Sequence, residues 1–159
     1  MTPVGLLSTA EKAQLKAKIG RFLEMHPYIE FAILFGSLAE GSDTPLSDVD
    51  VGIYVSKDLS LLEHGKLTAE LERITGREVD IVILNELPLK YPELAFKVAA
   101  KGELIICRDR KGYVEFKTKC FLGYIDTAPL REMFRETLLE RIRAGKIGDR
   151  RYARPHPKA

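Results

Sequence analysis

The chain has no tryptophan and only two cysteines among its 159 residues, and it contains no long hydrophobic run. Cys107 and Cys120 are too far apart for a C-x-x-C pair, and two cysteines are too few for a disulfide-rich secreted framework. No stretch approaches the roughly 18 apolar residues of a membrane span, and the first residues show no signal-peptide pattern. The sequence therefore predicts a cytoplasmic protein with reduced thiols and no membrane contact.

A strong excess of one charge is also absent, since 25 basic residues face 23 acidic ones. The resulting net charge of +2 gives no reason to expect direct nucleic-acid binding. The charge is uneven, however, because residues 141–159 carry +6 and residues 1–140 carry −4. We expect one domain over residues 1–145 and a basic, flexible tail over residues 146–159. Such a tail is either solvated, docked on an acidic partner, or in weak contact with RNA phosphates.

The apolar pattern alternates along the chain between the periods of a helix and of a strand. Ser8 and Glu11 form a capping box before the first helix, and Gly76 suits the end of a helix over residues 60–75. Strands are predicted over residues 31–35, 48–55, 78–84 and 104–107, a short helix over residues 92–100, and two more helices from residue 111 onward, separated at Pro129. This order predicts an α/β fold with about four strands, flanking helices and a C-terminal helical pair.

Three aspartates lie where strands are predicted, although aspartate has a poor strand propensity. Asp48 and Asp50 are two residues apart, so their side chains point to the same face of a strand, about 6.6 Å apart along it. Asp80 opens the third strand and joins them if the two strands pair. Carboxylates gathered in this way repel one another unless cations neutralise them, and oxygen ligands suit Mg²⁺ or Mn²⁺.

The first predicted strand leads directly into Gly36-Ser37. A glycine allows the backbone to approach a phosphate closely, and a serine adds a hydroxyl group that can bind it. A phosphate-binding turn beside metal-binding carboxylates is typical of phosphoryl or nucleotidyl transfer. Gly36-Ser37 alone, or Asp48 and Asp50 alone, would indicate only a turn, whereas their combination with Asp80 favours a site.

Gly36-Ser37, ten further residues and then Asp48-Val49-Asp50 resemble the signature of the DNA polymerase beta-type nucleotidyltransferase superfamily, with Asp80 as its third carboxylate. Within it, the segments over residues 95–102, 106–109 and 124–129 resemble the minimal nucleotidyltransferase (MNT) antitoxins that are encoded beside HEPN-domain ribonuclease toxins. The resemblance covers about residues 10–140. It implies a polymerase-beta-like fold with a mixed sheet.

The resemblance also implies an activity, namely the transfer of AMP from ATP, with two Mg²⁺ ions, to a hydroxyl group of the HEPN toxin. In that family the acceptor is a tyrosine, and the protein is an antitoxin of the type VII kind that acts by AMPylation. Carried over to this chain, Gly36 and Ser37 would bind the triphosphate. Asp48 and Asp50 would ligate both metals, and Asp80 would bind the catalytic metal and help to deprotonate the acceptor.

One departure from the family pattern is Glu40, which stands where many relatives have a basic residue. Two alternatives to AMPylation stay open at this point. The chain could be a non-catalytic antitoxin that neutralises the toxin by binding, or a nucleotidyltransferase for a small molecule, for which a dimer would have to complete the pocket. Both a homo-oligomer and a hetero-oligomer are compatible with the sequence.

Overall fold

The computed structural model describes residues 7–43 and 47–145, and these residues contain four strands and seven helices. In chain order the elements are α1 (Thr9–Glu24), β1 (Ile29–Phe35), α2 (Ser37–Glu40), β2 (Val49–Val55), α3 (Leu61–Thr75), β3 (Val79–Ile83), α4 (Leu87–Lys90), α5 (Pro92–Lys101), β4 (Glu103–Cys107), α6 (Arg110–Asp126) and α7 (Ala128–Arg143). The predicted α/β class, the four strands and the two C-terminal helices are confirmed. The short helix α4 was not predicted, because four residues are too few to show a helical period.

The four strands form one mixed sheet in the order β3-β2-β1-β4. β1 is antiparallel to both of its neighbours, β2 and β4, whereas β2 and β3 are parallel. A parallel pair requires a crossover connection, and α3 provides it between β2 and β3. The parallel pairing brings the amino-terminal ends of these two strands to the same edge of the sheet.

Helices cover both faces of the sheet. On one face, the buried side chains of β2 and β3 belong to a core that includes Ile19 and Leu23 of α1 and Leu67 and Leu71 of α3. On the other face, Phe31 and Ile33 of β1 pack in a core with α5 and with Phe116 and Cys120 of α6. β1 is therefore buried from both sides. Both cysteines are free thiols, with Cys120 buried and Cys107 half-buried.

The start of α1 and the end of α3 are as their sequences predict, and α3 begins with a capping box that was not predicted. Ser8 and Glu11 form the capping box of α1, in which the Glu11 amide donates to Ser8 Oγ at 3.2 Å and the Ser8 amide donates to a Glu11 carboxylate oxygen at 2.7 Å. Ser60 and Glu63 do the same for α3. Gly76 ends α3 with a left-handed backbone, as predicted.

The chain divides into two compact units, of which the first ends at Tyr124 and the second begins at Ile125. In the second unit, α7 has no buried residue and presents a series of exposed large apolar side chains: Leu130, Met133, Phe134, Leu138, Leu139 and Ile142. The predicted tail over residues 146–159 lies outside the described residues, and the predicted domain extent stays a prediction. No helix in the described ranges is long and apolar enough to cross a membrane.

Candidate active site

The turn after β1 is shaped by a glycine in a conformation that other residues avoid. Gly36 has φ +74° and precedes the one-turn helix α2, which begins at Ser37. A Cβ atom built on Gly36 would lie 2.2 Å from Asp50 Oδ2, which is far inside van der Waals contact. Gly36 is thus required for two reasons, its positive φ and the carboxylate beside it. The steric reason could not be predicted, because it depends on how β1 and β2 pair.

Asp50 and Asp80 are direct partners in the parallel pairing of β2 and β3. Because neighbouring strands lie about 4.8 Å apart and paired residues share a face, the two carboxylates project from adjacent points of the same face. Phe35, the last residue of β1, pairs with Asp50 from the other side. Asp48 lies one residue before β2 rather than in its first position, and it is exposed, as is Asp80.

The charges of the three aspartates act on one another. Burial raises the pKa of the half-buried Asp50, and the neighbouring charges of Asp80 and Asp48 raise it further. The cluster therefore resists full ionisation in the absence of cations. Within residues 7–43 and 47–145, no three His, Cys, Asp or Glu side chains stand close enough together to hold a metal ion as they are oriented. Asp48 and Asp80 are electrostatic neighbours of Asp50, and both have exposed side chains.

A cleft of about 340 Å³ opens beside Asp50 and Asp80. Among the described residues it is lined by Phe35, Gly36, Glu40, Asp50, Asp80, Val82, Leu94, Lys97 and Lys101. Gly36, Asp50 and Asp80 thus meet at one cleft, whereas Ser37 and Asp48 are sequence neighbours of residues that line it. A larger cavity of about 440 Å³ touches the cleft at Val82 but has no part in the aspartate cluster.

Two lysines of α5 line the cleft and were not predicted from the sequence. Lys97 and Lys101 are four residues apart, so they lie on the same side of the helix. Lys101 forms an ion pair with Glu40, in which Nζ lies 3.2 Å from a carboxylate oxygen. Their i, i+4 spacing was visible in the sequence, but only the packing of α5 on the sheet shows which way this side of the helix points.

Asp43 follows α2 and lies outside the cleft. Its side chain is fully buried, accepts a hydrogen bond from the Leu7 amide at 3.3 Å, and lies 2.7 Å from Lys12 Nζ of α1. Its role as a buried ion pair could not be predicted from local sequence, because Lys12 is distant in the chain.

The fold and this cluster define the class of protein as a nucleotidyltransferase. The family profile described as "Polymerase beta, Nucleotidyltransferase" matches residues 17–111, a span that holds all four strands and every predicted site residue. This chain belongs to that family. The resemblance to the superfamily that the aspartate spacing indicated is therefore confirmed.

Individual proteins are also similar to this chain in sequence or in structure. A protein of Methanocaldococcus jannaschii named "Putative protein adenylyltransferase MJ0435" is 34% identical over 74 residues, which cover 46% of this chain and 78% of the relative. A chain of a toxin-antitoxin crystal structure with AMP-PNP superposes with a TM-score of 0.68 at 21% identity, over 78% of this chain and 98% of that one.

A second solved structure contains the tri-AMPylated HEPN toxin of Shewanella oneidensis in complex with its MNT antitoxin. A chain of that complex superposes with a TM-score of 0.65 at 19% identity, over 80% of this chain and 98% of that one. At these identities the two structures establish the fold. The chain therefore shares the fold of these structures, in agreement with its resemblance to the minimal nucleotidyltransferases.

Proposed function

We propose that this protein transfers AMP from ATP to a hydroxyl group of a partner protein, a HEPN-domain toxin, and so acts as its antitoxin. The acceptor in this proposal is a tyrosine of the toxin. The observation that carries the proposal is the pairing of Asp50 with Asp80 beside the positive-φ Gly36, at the end of a cleft with two lysines. The relative named as a putative protein adenylyltransferase and the complex with an AMPylated toxin both support AMP transfer to a protein.

The aspartate cluster fits divalent cations by its chemistry. It offers only carboxylate oxygens, which suit Mg²⁺, and the charges of Asp80 and Asp48 disfavour the ionisation of Asp50. In our proposal Asp48 and Asp50 hold two Mg²⁺ ions, and Asp80 holds the one nearer the acceptor. Bound there, Mg²⁺ would neutralise charge on the phosphates and on the departing pyrophosphate.

The residues of the chain itself orient the reactants. Gly36 gives a phosphate group access to the backbone of the turn, because no Cβ stands in the way. Ser37 can donate its hydroxyl to a phosphate oxygen. Asp80 is exposed, so its carboxylate can accept the proton of an acceptor hydroxyl that enters from solvent.

A protein acceptor is supported by the surface of α7. Its exposed apolar side chains, among them Phe134 at 68% and Met133 at 64% exposure, form a concentration of apolar surface that is typical of contacts with another protein. A small-molecule substrate would give no reason for such a helix.

The proposal is tested by incubating the protein with Mg²⁺, α-labelled ATP and any HEPN-domain protein that is encoded beside it, followed by intact mass measurement. We expect the partner to gain one or more AMP masses. The double variant Asp48→Ala/Asp50→Ala should transfer none. As a matched control, Glu70→Ala/Glu115→Ala removes two exposed carboxylates that lie outside the cleft and should transfer normally.

Two other results would overturn the proposal in different ways. If the Asp48→Ala/Asp50→Ala variant silences the toxin as well as the wild type at equal protein concentration, binding alone is sufficient. If label moves to a small hydroxylated acceptor when the partner protein is absent, the substrate is a small molecule.

A further inference from the structure

The positive charge of the cleft comes from α5 and not from the turn that holds Gly36. Of the described residues that line the cleft, Glu40, Asp50 and Asp80 are acidic, and Lys97 and Lys101 are basic. A nucleoside triphosphate carries about four negative charges at neutral pH, so it would meet a net negative surface. Cations held by the aspartates can compensate only the phosphates next to them, and the far end of the triphosphate needs a positive group of the protein.

α5 is held firmly enough to present its lysines at a defined place. Ala95, Val98 and Ala99 are buried against the sheet, and the helix ends at Gly102. A Cβ atom on Gly102 would lie 2.4 Å from a side-chain carbon of Ile33 in β1 and 2.4 Å from the Val98 carbonyl oxygen. The end of α5 therefore lies directly on the sheet, and Lys97 and Lys101 project from fixed backbone positions beside the cleft.

The two lysines differ in their present partners. Lys101 is bound to Glu40, which belongs to α2 immediately after the Gly36-Ser37 turn. Lys97 is exposed and forms no ion pair with any residue of the described ranges. An incoming phosphate must therefore compete with Glu40 for Lys101, but it meets no such competitor at Lys97.

We propose that Lys97 binds the terminal phosphates of the nucleoside triphosphate directly, and that Glu40 restrains Lys101 as a second, weaker phosphate ligand. This inference rests on the proposed function for the identity of the ligand class. It assigns to α5 the positive charge that Glu40 cannot supply.

The test measures binding and not transfer. Calorimetric titration with α,β-methylene ATP and Mg²⁺ reports affinity, because this analogue cannot release AMP. Lys97→Gln should weaken its binding roughly tenfold, which is the low end for a hydrogen bond to a charged group. Lys101→Gln should weaken it less, and Glu40→Gln should strengthen it. None of these variants should change AMP binding more than about twofold, because AMP lacks the terminal phosphates.

A matched control is available in the second exposed ion pair between a helix lysine and a distant glutamate, Lys16 with Glu103. Lys16→Gln should leave affinity for the analogue unchanged. The exchange variant Glu40→Lys/Lys101→Glu keeps the pair but moves the cation to α2, and it should bind the analogue within about threefold of the wild type. Thermal unfolding of each variant checks that the fold is intact.

The inference is overturned if Lys97→Gln binds the analogue as tightly as the wild type does. It is also overturned if Lys97→Gln weakens the binding of AMP as much as the binding of the analogue, or if the wild type does not bind the analogue. The outcome is separable from that of the proposed function. Lysine-dependent binding without AMP transfer to any protein would support the inference and contradict the proposed function. AMP transfer to the partner protein, with a KM for ATP that is unchanged in Lys97→Gln, would support the proposed function and contradict the inference.

Discussion

At the residue scale, Asp50 lies half-buried opposite Asp80 and directly behind Gly36. Burial, then Asp80 and Asp48, raise its pKa, so the folded protein favours the protonated carboxyl more than the unfolded chain does. The stability that this group contributes is present below its ordinary pKa of 3.8 and is lost as the pH rises through the raised value. At neutral pH the ionised Asp50 therefore destabilises the fold.

We accordingly predict that Asp50→Asn raises the free energy of unfolding at pH 7, by up to about 1 kcal/mol, because it removes a like-charge pair on neighbouring strands. The same variant should lose AMP transfer. Urea unfolding at pH 7 and at pH 3.5 is the measurement, and the gain should shrink at the lower pH, where Asp50 is protonated. Asp58→Asn serves as the control. A variant that is less stable than the wild type at pH 7 would contradict this account.

The site residues could be predicted from their spacing in the sequence, but the side chains that surround them could not. Gly36, Asp50 and Asp80 follow from motif spacing and strand alternation, and the structure brings these three to one cleft. Lys97 and Lys101 escaped prediction because many exposed helices carry lysines four residues apart. Only tertiary packing distinguishes a lysine pair that faces a cleft from one that faces solvent.

At the element scale, Asp43, which follows α2, is held to α1 by a buried ion pair with Lys12. Burial alone raises the pKa of Asp43, but the hydrogen bonds from Lys12 and from the Leu7 amide, with the charge of Lys12, lower it overall. The folded state thus favours the ionised carboxylate. Its contribution to stability is present above the ordinary pKa of 3.8 and is lost as the pH falls through the lowered value.

Asp43→Asn should therefore lower the free energy of unfolding at pH 7 by about 1–3 kcal/mol, because it leaves Lys12 without its partner. The difference from the wild type should narrow as the pH falls below the ordinary carboxyl pKa. Chemical unfolding across this pH range measures both effects. Glu70→Gln, which breaks the exposed pair with Arg73, is the comparison and should leave stability unchanged. Equal losses in the two variants would mean that burial of Asp43 is unimportant.

Most elements could be predicted because their own sequences determine them. The capping boxes at Ser8 and Ser60 and the left-handed Gly76 are local signals, and the structure forms each of them. The order β3-β2-β1-β4 could not be obtained in this way. Periodicity shows which face of a strand is buried, but pairing partners are decided by contacts between segments that are far apart in sequence.

At the scale of the whole molecule, the net charge of +2 conceals an acidic body and a basic end, with +6 over residues 141–159.

The fold class was predictable because helix and strand periods alternate so clearly. The boundary between the two units at Tyr124 was not, because Phe116, Cys120 and Tyr124 continue one helical period up to it, and the sequence shows no helix-breaking residue between it and Pro129.

Deletion of residues 146–159 removes five basic residues and one acidic residue. If this tail docks on an acidic partner, the truncated protein should bind the HEPN partner several-fold more weakly at low salt, with a smaller loss at high salt. Titrations at two ionic strengths measure the effect. Unchanged affinity and unchanged salt dependence would show that the tail is merely solvated.

The ion pair between Glu40 and Lys101 also has a consequence for the history of the family. Because the two side chains line the cleft and form an ion pair, a change of sign at one position is tolerated best when the other changes with it. Homologous sequences should therefore show opposite charges at positions 40 and 101 in either order, and an alignment will show whether the two positions exchanged together. If so, the cation has moved between α2 and α5 during evolution while the charge balance of the cleft was preserved.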